Sequence, residues 1–195
     1  MIEFNYPEGA TPLNADEVEG LLPTHITTRA ELDRWEQDNI NEALSWIEKR
    51  NPKDILNESF MKLLHNKMFC NVWKWAGRLR QSEKNIGVPW YNISIELKKL
   101  CDDVEYWIEN KTFSEDEIAA RFHHRLVSIH LFPNGNGRHA RLMADILLEN
   151  ILNKPTFTWG NVNLVKSGDD RKRYIESLIA ADRGDYEHIL KFARS

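Results

Sequence analysis

Within SIHLFPNGNGRHARLMADILL, Ser128 to Leu148, one short span carries a histidine, two asparagines, two glycines and two arginines at the mouth of an apolar-periodic run. His130 closes the run before it. Pro133 to Gly137 reads as a tight turn, in which Gly135 and Gly137 allow backbone conformations that turn successive amides inward as an anion nest. The helix that follows offers its first amides and its dipole to the same negative charge. Arg138 and Arg141, at i and i+3, share that helix's first turn, and the side-chain amide of Asn136 is a further donor. The sum is a site for phosphate oxygens, more than one phosphate at a time. A neutral imidazole at the rim of such a site takes a proton from an incoming hydroxyl. The chemistry this pattern supports is phosphoryl or nucleotidyl transfer.

Helices must hold these groups. Apolar residues at Leu32, Trp35, Ile40, Ala43, Leu44 and Ile47 predict a helix, and Thr28 with Glu31 forms a capping-box pattern at its start. The segment 56–77 predicts a second, with Gly77 after it. Two more are predicted over 95–110 and 114–130, the latter ending at His130. The turn leads into another over 138–152, and helices over 169–184 and 186–194 end the sequence. Gly87 and Pro89 interrupt the segment 78–94, which reads as a loop or small hairpin. The N-terminal residues, with Pro7, Gly9, Pro12, Gly20 and Pro23, read as an irregular arm over 1–26 with a short helical piece near NADEVEGLL. The expected fold class is all-α: one domain over 27–195, seven or so helices and one small β-hairpin.

The 195 residues are 42% hydrophobic, a globular composition, and the net charge of −4 argues against non-specific nucleic-acid binding. Two cysteines are too few for a disulfide framework, and no apolar run reaches membrane-span length, so a cytoplasmic protein is expected.

As a unit, HLFPNGNGRHAR resembles the signature of the Fic (Fido) family, H-x-F-x-D/E-G/A-N-G/K-R-x-x-R, at His130, Phe132, Gly135, Asn136, Gly137, Arg138 and Arg141. WAGRLR followed by NIGVPWYNI resembles the segment leading into that family's flap, and the two ends of the domain resemble its small bacterial branch called mobile mystery protein B. The resemblance implies a Fic-type helical bundle with a small β-hairpin flap. It also implies transfer of AMP from ATP, with Mg²⁺ or in its place Mn²⁺, to a Ser, Thr or Tyr hydroxyl of a target protein. By position it implies His130 as general base and Phe132 as the anchor of the loop in the core. Gly135, Asn136 and Gly137 would hold the α- and β-phosphates with help from Arg138, and Arg141 would reach the γ-phosphate. A flap around Gly87, Val88 and Pro89 would hold an extended target segment by strand addition.

The chain departs from the signature at Asn134, where the family has the carboxylate that holds the metal; an amide oxygen ligates a hard cation but brings no charge. The family's inhibitory motif, S/T-x-x-x-E-G/N, is matched best by Thr27 to Glu31, so Glu31 is the expected inhibitory glutamate, with Glu19 second. Tyr174 and Ile175 are candidates to flank the base, and His123 and His124 read as structural. Besides a protein substrate and nucleotide, the partners considered are a second copy of the chain and an antitoxin-like chain. The rival functions are a nucleotide-binding or toxin–antitoxin module without catalysis, a different phosphate-containing donor, or removal of AMP.

Overall fold

The structure, a computed structural model, describes residues 11–161 and 168–195. Helix α2, Arg29–Arg50, starts where the sequence says it should. Thr28 accepts a hydrogen bond from the Glu31 amide at 3.2 Å while the Glu31 carboxylate accepts from the Thr28 amide at 3.0 Å. It ends at Asn51, in the left-handed region with φ 42°. Its buried face, Leu32, Glu36, Asn39, Ile40, Ala43 and Ile47, follows the helical period and packs on α3, Glu58–Phe69.

Helix α3 stops eight residues before Gly77, earlier than its apolar pattern suggests. The reason is the N-terminal segment. Leu21 forms an antiparallel bridge with Trp73, the Leu22 amide donates to the Val72 carbonyl and the Lys74 amide to the Gly20 carbonyl, both at 2.8 Å. The backbone after Phe69 is thereby paired outside its own helix. The part of the expected arm that is described is therefore docked, and it carries a short helix α1, Ala15–Val18; residues 1–10 lie outside the described residues.

Helices α4 (Ile93–Glu109), α5 (Glu115–Ile129) and α6 (Asn136–Ile146) surround the centre. Phe122 of α5, Phe132 of the connecting turn and Met143 of α6 are fully buried there. The helical path of α6 continues through one π-turn, Leu147–Ile151, and α7 (Asp169–Ala181) and α8 (Glu187–Ala193) follow. Eight α-helices are thus seen among the described residues, and the all-α architecture is as expected.

The hairpin is not. Residues 78–89 contain no strand. The carbonyls that would form a ladder are taken instead by one buried side chain: Arg80 donates from Nη1 to the Ser82 carbonyl at 2.9 Å and from Nη2 to the Val88 carbonyl. The segment is an irregular loop wrapped around a guanidinium.

Candidate active site

The loop from His130 to Gly135 is held in place from the core side. Phe132 stacks on His65, ring centroids 3.7 Å apart. His65 accepts from the Gly77 amide at Nδ1 (2.9 Å) and its Nε2–H donates to the Asn134 carbonyl (3.1 Å), a tautomer assigned from these partners. Burial holds His65 well below the usual imidazole range, so it is a neutral strut. Gly135 caps α6 with φ 78°, and a Cβ there would meet the Phe69 ring at 2.7 Å, so both conformation and space require glycine.

The side chain of Asn136 does not face a phosphate site. Its Oδ1 accepts from the Phe132 amide at 2.9 Å and its Nδ2 donates to the Phe132 carbonyl at 2.8 Å. Both polar groups are spent on closing the turn, and the expected side-chain donor is replaced by the backbone amides of the α6 N-terminus. Gly137 lies on the open side, with only ordinary contacts at 3.8 Å to Arg141 Nη1 and the Tyr174 hydroxyl.

A cavity of about 560 Å³ opens over this turn. His130, Asn134, Gly135, Asn136, Gly137, Arg138 and Arg141 all line it, as do Gly87, Tyr174 and Ile175. The sequence reading therefore brought together residues that share one wall. It missed Arg29 and Arg171, which place two more guanidiniums on the same cavity. Arg141 lies against Tyr174, 5.5 Å from the ring centroid, and Tyr174 is itself fixed by a 3.0 Å hydrogen bond between its hydroxyl and His123. The lining also includes the apolar Val127, Leu178 and Ile179, and Asp182, which accepts from His124 at 2.8 Å.

His130 is the C-cap of α5, with φ 58° for a non-glycine residue. Such a conformation costs about 1 kcal/mol or more and persists only when its surroundings fix it. Here the fixing group is Arg80, whose Nε donates to the His130 carbonyl at 2.6 Å. The imidazole is 4% exposed, and neither ring nitrogen makes a hydrogen bond among the described residues. Burial first, then the charges of Arg80 and Lys84, push its pKa down to about 4; the Val127 carbonyl opposes this weakly. His130 is therefore a neutral imidazole with both nitrogens unbonded, on the wall of a cavity rich in cations. Lys84 is held beside it by Glu17.

Val88 donates its amide to the Ile129 carbonyl at 3.4 Å, and Pro89 precedes a 3₁₀ turn, Trp90–Asn92. Only Gly87 of the three expected flap residues lines the cavity. The Glu31 carboxylate accepts from the Thr27 and Thr28 amides, which is the capping role, and Glu31 is not among the residues that line this cavity with Arg141. The carboxylate that does reach the signature is Glu36, which pairs with Arg138 at 2.7 Å.

The donor set does not fit a metal held by the protein. Asn134 uses Oδ1 to accept from the Gly135 amide at 2.7 Å and Nδ2 to donate to the Thr11 carbonyl at 3.2 Å. No group of three or more His, Cys, Asp or Glu able to bind a metal occurs among the described residues. A cation that arrives on a ligand's own phosphates belongs to that ligand.

Residues 55–148 match the model of the Fic/DOC family. The chain is 28% identical to protein adenylyltransferase fic-1 of Caenorhabditis briggsae over 124 residues, which covers 60% of the chain and 22% of that protein. It is 29% identical to protein adenylyltransferase Fic of Aedes aegypti over 120 residues, with the same coverage. The chain thus spans about a fifth of the length of the curated relatives it matches. Among solved structures, the BepC protein of Bartonella tribocorum with bound AMPPNP superposes with a TM-score of 0.68 at 18% identity, covering 93% of this chain and 97% of that one. Fic-1 (residues 134–508) of Caenorhabditis elegans gives 0.67 at 23% identity, over 90% of this chain and 51% of that one.

Proposed function

The chain belongs to the Fic/DOC family, and on that premise we propose that it transfers AMP from ATP to a hydroxyl of a protein. The observation that carries this reading is His130: a neutral imidazole with two unbonded nitrogens, on the wall of a cavity that four arginines make cationic.

The residues divide the work as follows. The cavity's guanidiniums and the first amides of α6 bind the phosphates, and they act in a partly enclosed site where such donors are worth more than in water. Arg141 and Arg171, with Arg29 and Arg138 already paired to Asp33 and Glu36, offset part of the charge of a triphosphate and supply further N–H donors. The apolar part of the lining, with Val127 and Leu178, takes the nucleoside. His130 accepts the proton of a Ser, Thr or Tyr hydroxyl as its oxygen bonds to the α-phosphorus, and the bond from that phosphorus to the bridging oxygen breaks. Pyrophosphate leaves with the electron pair, and the arginines neutralise the charge it carries. Because the histidine is already neutral at pH 7, it needs no prior deprotonation.

The test uses ATP labelled at the α- or the γ-phosphate, with self-modification and transfer to added protein as readouts. Label from the α position should appear on protein and label from the γ position should not. His130→Ala should lower transfer by about 10² to 10⁴-fold while nucleotide binding survives. Transfer that is unaffected by His130→Ala would end this reading. Nucleotide binding without any transfer by the native chain would favour a non-catalytic nucleotide-binding module.

A further inference from the structure

Glu36 has no place in the signature, yet its carboxylate meets it. The side chain stands on the buried face of α2 and is 3% exposed. One oxygen accepts from Trp73 Nε1 at 2.7 Å, the other from Arg138 Nη1 at 2.7 Å. Trp73 is itself 2% exposed and stacks on Trp75, ring centroids 4.9 Å apart. A buried carboxylate left unpaired is strongly disfavoured, and these two donors satisfy it.

The consequence falls on Arg138. Its side chain would otherwise be long and free to choose among rotamers, at an entropic cost on binding. Glu36 holds Nη1 from one side, and the Phe69 ring lies 4.8 Å from the guanidinium carbon. A guanidinium has five N–H donors in a rigid plane, so one hydrogen bond to Glu36 leaves four. Arg138 lines the cavity, so those remaining donors are already oriented when a phosphate arrives.

From the chain Trp73–Glu36–Arg138 we propose that Glu36 is a positioning residue, which fixes Arg138 so that its free donors meet the phosphates. The proposal rests on the reading of the cavity as a phosphate site. It differs from a carboxylate that merely competes with phosphate for the arginine, since competition makes its removal favourable to binding. It differs too from a tether between α2 and α6, whose loss would change stability without acting through one arginine.

Glu36→Gln separates these roles. Both partners of Glu36 are donors, and a glutamine has one oxygen to offer them, so one of the two bonds is lost at nearly constant volume. The probe is inorganic triphosphate, with binding to the full-length chain measured by calorimetry alongside urea unfolding. Glu36→Gln should weaken triphosphate binding about tenfold, a charge-assisted hydrogen bond's worth of orientation. The same substitution in an Arg138→Ala background should have no further effect, because Glu36 acts through that arginine. Should Glu36→Gln not fold, Trp73→Phe loosens Glu36 while keeping the ion pair, and should weaken binding about threefold with the same dependence on Arg138. Equal or tighter binding by the Glu36 variant overturns the proposal in favour of competition. A loss of equal size in the Arg138→Ala background overturns it in favour of a general structural role. Absence of AMP transfer with the triphosphate effects intact would sink the proposed activity alone. A native chain that does not bind triphosphate would sink both.

Discussion

Acidification from pH 7 to pH 5 should remove much of this protein's stability. His65, His123, His130 and His139 are all buried, and burial is the first cause in lowering each of them: His123 to about 3, His130 and His139 to about 4, His65 well below the ordinary value of 6.5. The folded chain keeps all four neutral at pH 5, whereas the unfolded chain protonates them near 6.5. The unfolded state therefore binds more protons, and stability falls as pH drops through the unfolded value toward the folded ones. His123, His130 and His139 each cost about 2 kcal/mol at pH 5, together about 5 to 6 kcal/mol relative to pH 7, and His65 acts in the same direction. Asp145 acts in the opposite sense. Burial raises it to about 7, against the hydrogen bonds from Trp159 and Phe157, so over the same range the folded state binds the extra proton and gains about 2 kcal/mol. The net loss is about 3 kcal/mol or more, a large share of the stability of many domains. Urea unfolding followed by tryptophan fluorescence at pH 7, 6 and 5 measures it directly. Asp145→Asn removes the offsetting group and should steepen the fall by about 2 kcal/mol. A stability that stays flat between pH 7 and pH 5 would refute the assignment of these histidines as neutral and trapped.

Three further outcomes follow from the site. Gly135→Ala places a Cβ 2.7 Å from the Phe69 ring at φ 78°, so it should cost about 1–3 kcal/mol in urea unfolding and weaken nucleotide binding with it. Asn134→Asp keeps the acceptor for the Gly135 amide but sets an oxygen against the Thr11 carbonyl; it should destabilise the docked segment by about 1 kcal/mol, seen as faster hydrogen exchange at residues 17–22, and unchanged exchange would count against that contact. Asp182→Ala removes a carboxylate from the cavity lining, which offers a phosphate no donor, so inorganic triphosphate binding measured by calorimetry should be no weaker than in the native chain; a severalfold loss would count against the cavity as a phosphate site.

What was legible in the sequence was local. Thr28 with Glu31, the helical spacing of α2 and the PNGNG turn each declare themselves within a few residues, and so do most of the helices. The same locality explains an error. Thr27 to Glu31 fits an inhibitory pattern and a capping pattern at once, and the carboxylate is close enough to its own helix end to be used there. The residues that were missed act across the fold. His65 meets Asn134 over a separation of 69 residues, Arg80 meets His130 over 50 and Glu36 meets Arg138 over 102. No periodicity or spacing marks such pairs. One physical signal was available: Glu36 falls on the apolar face of α2, where a charged side chain stays only if it has a partner. Asn136 carried the opposite ambiguity, since an amide beside a glycine turn serves a ligand or the turn itself, and only the contacts with Phe132 decide which.

Arg80 gathers the carbonyls of Ser82, Val88, Ile129 and His130 around one guanidinium. The two ends of the loop and the backbone of the histidine thereby share a single mount. Between those ends, Glu83 and Asn85 are exposed, while Ile86, also exposed, lines the cavity. This makes the loop an interchangeable head on a fixed chassis. On the proposed activity, its exposed residues Glu83 and Asn85 can be rewritten to favour a different protein surface without re-aiming the imidazole, provided that Arg80 and the backbone it grips are kept.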